Sequence, residues 1–166
     1  NMRYKIISIL LFLVLILVLG RNLTQSNLDN SSARDLNVIF IFLSWCSVAD
    51  KLLEKEIAPL SNDSNISLFL VCITKNEEEV RSMLMSYGIR TEVHFVDSFL
   101  SGFPLTDRLV IKKFVNYNFK NTDVLDLDGN FGVPLRFICD DDFKILTLLS
   151  DNIKNETYKF KDTYHQ

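Results

Sequence analysis

The chain has 166 residues, 48% hydrophobic and 23% charged, enough for one globular domain with a real core and little beyond it. Its formal charge is only -3 and its 18 Lys and Arg are scattered, so the clustered basic footprint that nucleic-acid binding needs is missing. Nucleic acid is excluded as a partner on that ground.

At the N-terminus, Arg3 and Lys5 precede an apolar run from Ile6 to Leu19, interrupted only by Ser8 and closed by Gly20. The run falls short of the roughly 20 residues that span a bilayer and matches the apolar region of an export signal. Val18 and Gly20 offer small residues before a cut, but no A-x-A pattern occurs. Residues 1–20 therefore read either as a cleaved signal peptide or as a short membrane anchor. A core helix would not be terminal, preceded by positive charge and apolar on all sides. Both readings place the rest of the chain outside the cytoplasm, on the periplasmic side in a bacterium. Residues 21–35, "RNLTQSNLDNSSARD", are polar and free of aromatics, which suits a linker. A single domain is expected over 36–166.

Leu36 to Leu43, "LNVIFIFL", is a continuous run rich in Val, Ile and Phe, the pattern of a strand buried on both faces. After Ser44-Trp45-Cys46, the residues Val48, Ala49, Leu52, Leu53, Ile57 and Leu60 recur at a helical period. That predicts a helix to about Pro59. Ile66 to Thr74, "ISLFLVCIT", gives a second buried strand, which a right-handed crossover makes parallel to the first. Asn76 as N-cap, three Glu in the first turn and Gly88 as the stop mark a second helix.

Glu92 to Asp97 reads as a short strand. Leu105 to Val115 reads as a helix capped by Thr106, with its β-branched residues leaving a strand open. Leu135 to Cys139 and Phe143 to Leu149 read as a β-hairpin closed by Asp140, Asp141 and Asp142. The three carboxylates, and the run Asp126 to Asn130, lack the spaced ligands of a calcium loop, so they read as solvated turn residues. The final stretch from Ser150 is too polar to announce another helix.

Strand, Ser44-Trp45-Cys46, helix, strand, the "EEEVRSMLMSYGI" helix, and then Gly132-Val133-Pro134 opening a hairpin form an ordered set. This order resembles the thioredoxin superfamily, most of all the exported, membrane-tethered thiol:disulfide oxidoreductases of the TlpA type, over Leu36 to Leu149. The resemblance implies an α/β thioredoxin-like fold, a central mixed sheet flanked by helices. It also implies a redox site at Cys46 with Trp45 shaping the surface. A cis-proline at Pro134 would lie beside the cysteine, and the backbone of Val133 would pair with bound substrate. A cysteine at a helix N-terminus meets unpaired N–H groups and the positive end of the dipole, which favour thiolate over thiol.

The site departs from that pattern. In a C-x-x-C motif the second cysteine attacks the mixed disulfide and releases product, but that position is Ala49. The positions six before and six after Cys46, where the family often buries a carboxylate, are Phe40 and Leu52. Cys72 and Cys139 fall within apolar runs on strands expected to flank the central one, and read as small core residues.

A one-cysteine peroxidase would need a Thr three residues and a Pro seven residues before the nucleophile, where Leu43 and Ile39 stand. His94 and His165 have no metal-ligand spacing with each other or with the cysteines. No phosphate loop or other cofactor motif occurs, so neither metal nor cofactor is expected. Two functions remain open. In one, a degenerate single-cysteine site forms mixed disulfides with protein thiols or disulfides, and an external thiol resolves them. In the other, the chain is a non-enzymatic module that binds an extended peptide.

Overall fold

The structure, a computed structural model, describes residues 36–164 apart from 65, 75, 98–103, 129, 130 and 151. The expected leader and linker, and His165, lie outside the described residues. The first strand, β1 (Asn37–Leu43), is buried along its whole length. It pairs in parallel with β2 (Ser67–Thr74), which pairs in parallel with β3 (Val93–Asp97). On its other side β1 pairs antiparallel with β4 (Leu135–Cys139), and β4 with β5 (Ile145–Leu148). The five-stranded mixed sheet has the order β3-β2-β1-β4-β5.

Alternation along β1 feeds two cores, as period-2 geometry demands. Ile39, Ile41 and Leu43 enter one, with Val110, Ile111, Phe114 and Val115 of α3 (Pro104–Asn118). Val38, Phe40 and Phe42 enter the other, with Ala49, Leu53, Ile57 and Leu60 of α1 (residues 47–61) and with Val80 and Leu84 of α2 (Glu77–Ser86). The helices thus cover both faces of the sheet.

Helix α1 differs from the sequence expectation at Pro59. It starts at Ser47–Leu52, widens into a π-helical turn at Leu53–Ile57 and continues through Ala58–Ser61. In the wide turn the Ala58 N–H donates to the Leu53 carbonyl, five residues back. An α-helical register would press the Pro59 ring against the residue-55 carbonyl, and the extra residue in the preceding turn relieves that clash. Helix α2 has the expected ends: Asn76 accepts the Glu79 N–H, and Gly88 takes φ +74 while Ile89 donates to the Leu84 carbonyl.

The ambiguous middle segment is the helix α3, beginning at Pro104, a residue suited to a first helical turn. Thr106 therefore lies inside the helix and is not its cap. Burial of the Val110, Ile111, Phe114 and Val115 stripe outweighs the β-branched propensity. The hairpin also closes later than expected. Phe143 adopts φ 55 and donates its N–H to the Asp140 carbonyl, so β5 starts at Ile145.

The polar C-terminal stretch forms a further helix, α4 (Ile153–Tyr164). Ile153 is fully buried in the second core, with Tyr158 and Phe160 packed against it. Lys154 donates its backbone N–H to Glu56 at 3.2 Å, and the Tyr158 hydroxyl bonds Asp63, so α4 lies along α1. Among the described residues no helix is long and apolar enough to cross a membrane.

Candidate functional site

Cys46 is the N-cap residue of α1, with φ -86 and ψ 106. Its N–H donates to the Leu43 carbonyl at 3.0 Å and its carbonyl accepts from Asp50 at 3.2 Å. The turn out of β1 and the first turn of α1 therefore fix its backbone. The side chain is half-buried between the two cores. Its Sγ lies 3.8 Å from the carbonyl oxygen of Val133, to which the thiol donates.

Val133 is half-buried, Pro134 is buried, and the peptide bond between them is cis. Strand β1 and the antiparallel β4 bring Cys46 and Val133 together although 87 residues separate them. Trp45, next to Cys46 in the chain, is 51% exposed. The structure thus gathers Cys46, Val133 and Pro134 and leaves Trp45 on the surface beside them.

The positions where a resolving thiol or a buried carboxylate would stand are built differently. Ala49 is 1% exposed and packs in the second core, and Phe40 is fully buried. Leu52 is half-buried against the same core. Apolar contacts fill all three positions.

The other two cysteines sit on opposite sides of β1, Cys72 beside Phe42 on β2 and Cys139 beside Asn37 on β4. They also belong to different cores. Burial pushes both thiols up to about 12, Cys72 with a further push from the charge of Glu77 and Cys139 from Asp140 and Asp141. The Asp140 carboxylate accepts the backbone N–H groups of Asp142 at 3.1 Å and Lys144 at 2.9 Å, an Asx-type turn. Among the described residues no group of three His, Cys, Asp or Glu could hold a metal ion.

Val133, whose carbonyl the thiol reaches, also lines an open groove of about 430 Å³, together among others with Val48, Phe131, Pro134, Arg136 and Leu148. Val48 is 52% and Leu148 49% exposed, large apolar side chains offered to solvent along the groove. Sequence reading misses Val48, Arg136 and Leu148. Val48 carries a signal, since it follows Cys46 by two positions on a helix start. Arg136 and Leu148 carry none, because a hairpin far along the chain delivers them.

No family model matches the chain, and no curated protein does. Solved structures do. A thiol:disulfide interchange protein from Bacteroides sp. superposes with a TM-score of 0.51 at 15% identity, covering 80% of this chain and 77% of that one. The thioredoxin domain of a thiol-disulfide oxidoreductase from Bacteroides vulgatus gives 0.48 at 15% identity, covering 76% and 79%. At such identity the likeness concerns the fold, and with the sheet order it shows that the chain has the thioredoxin-like fold.

Proposed function

We propose that the chain is an extracytoplasmic thioredoxin-like protein of thiol-disulfide chemistry, with Cys46 as its single nucleophile. One observation carries the reading: a half-buried thiol at the start of α1, with Sγ 3.8 Å from the Val133 carbonyl and an apolar groove alongside. The fold it shares with thiol:disulfide interchange proteins supports the same reading. The Cys46 thiolate attacks one sulfur of a disulfide R–S–S–R′. The S–S bond breaks, R′–S⁻ leaves and takes up a proton, and a Cys46–S–S–R mixed disulfide remains. Ala49 offers no sulfur to attack that bond, so an external thiolate R″–S⁻ completes the cycle, forming R–S–S–R″ and returning the Cys46 thiolate. The partners are protein thiols and disulfides, with Trp45, Val133 and Pro134 forming the contact surface. The apolar segment from Ile6 to Leu19 holds the domain at a membrane or exports it across one.

The test is adduct trapping. The protein, incubated with a disulfide-bonded substrate and quenched in acid, should carry a Cys46-linked adduct in its mass spectrum. An adduct yield no greater than that of a Cys46→Ser control would sink the proposal.

A second reading rests on the apolar filling of Ala49, Phe40 and Leu52. In it the same groove binds an extended peptide without chemistry. It expects Cys46→Ala to bind its partner as tightly as wild type, and a clear loss of affinity rejects it.

A further inference from the structure

The Arg136 guanidinium joins two backbone segments, one of which carries Val133, whose carbonyl oxygen lies 3.8 Å from the thiol. Its Nη1 donates to the Pro134 carbonyl at 3.1 Å, and its Nε donates to the Ser150 carbonyl at 2.8 Å. The first carbonyl belongs to the loop that carries Val133, and the second to the turn between β5 and α4. That turn is itself held, since Glu156 of α4 accepts the Ser150 N–H at 2.7 Å and the Ser150 hydroxyl. The base of the side chain is fixed as well: Arg136 pairs with Phe40 of the central strand and its carbonyl accepts from Leu149. A planar fork with several donors suits such a two-carbonyl bridge, and a lysine ammonium does not reproduce it.

We infer that Arg136 is a positioning residue that holds the Val133–Pro134 loop against Cys46, so that disulfides borne on an extended polypeptide react there faster than an untethered loop would allow. The inference rests on the proposed redox reading. A small disulfide needs only the sulfur of Cys46. A polypeptide must also lay its chain along Val133 and into the groove that Arg136 lines, so only the second reaction depends on where the loop sits.

The experiment compares two probes on the whole chain: 5,5′-dithiobis(2-nitrobenzoate), and a ten-residue peptide whose cysteine is activated as its mixed disulfide with 2-nitro-5-thiobenzoate. Each releases the coloured thiolate on attack by Cys46, so both rates are read by absorbance. Arg136→Gln should slow the peptide reaction about tenfold and leave the small probe within about twofold, the scale of one charge-assisted hydrogen bond. Arg136→Lys should fall between wild type and the glutamine variant. Hydrogen exchange at the Gly132, Val133 and Leu135 amides should rise about tenfold in Arg136→Gln with that of β1 unchanged. Glu156→Gln, a surface change at the far end of the chain of bonds, should move both readouts the same way by less. Equal slowing of both probes, or unchanged loop exchange, overturns the positioning role. A wild-type protein inert to both probes instead overturns the redox reading on which the selectivity rests.

Discussion

Cys46 and Ala49 stand one helical turn apart at the start of α1, the thiol half-exposed against the Val133 carbonyl and the methyl buried at 1% exposure. Positions three apart share a helix face, so the second residue sits where a resolving sulfur would be in reach of the first. Ala49→Cys should therefore turn a one-thiol site into a dithiol, at a cost of about 1 kcal/mol for the added sulfur in a packed position. Trapped mixed disulfide should fall at least about tenfold, because the introduced thiol attacks it intramolecularly. Quantifying the adduct by mass spectrometry in both proteins checks this. An undiminished adduct means that the side chain at 49 cannot turn toward Cys46.

Thiol chemistry should be confined to one of the three cysteines. With their thiols pushed up to about 12, Cys72 and Cys139 are thiolate to about one part in ten thousand at pH 8, and both are fully buried. Iodoacetamide at pH 8 should add one carbamidomethyl group to the native protein, at Cys46, and three in denaturant. Early labelling of Cys72 or Cys139 would show that the sheet opens locally at β2 or β4.

Much of this frame is legible because the residues concerned carry local signals. Six of the seven residues of β1 are apolar and require cover on both faces, and Asn76 and Gly88 punctuate α2 at both ends. Cys46 announces itself by standing between a buried strand and a helical period. What stays hidden depends on tertiary partners. Pro59 looks like a stop because a π-helical turn leaves no sequence pattern. Helix α4 looks like a tail because Ile153, Thr157 and Phe160 are a thin stripe among charged residues. The groove wall at Leu148 and the Arg136 bridge arise from strand pairing across the sheet, and no neighbouring residues encode them.

His94 adds a pH dependence to stability. Its ring lies against Phe114 at 5.8 Å, and its Nε2 is buried with no hydrogen-bond partner among the described residues. Burial pulls its pKa below the ordinary 6.5, opposed by the charge of Glu92. The unfolded chain therefore binds the proton more readily, so the stabilisation is complete above pH 6.5 and is lost as pH falls through the lower folded value. Urea midpoints should decline between pH 7 and 5, and His94→Gln should flatten part of that decline. An unchanged slope would assign the acid sensitivity to other groups.

The C-terminal helix should be a structural member rather than an appendage. Ile153 is fully buried at its start, in the core that α1 and α2 share, while Lys159 on the same helix is exposed. Removing the Ile153 side chain leaves a cavity where β1, α1 and α4 meet, so Ile153→Ala should cost about 2 to 5 kcal/mol. Lys159→Ala should stay within about 0.5 kcal/mol. Urea unfolding followed by Trp45 fluorescence and by circular dichroism measures both. A single transition shifted in Ile153→Ala shows that α4 unfolds with the sheet. Two transitions, the first absent from the Trp45 signal, would instead make α4 a separately melting unit. The Glu156 end of the Arg136 bridge would then be lost before the fold is.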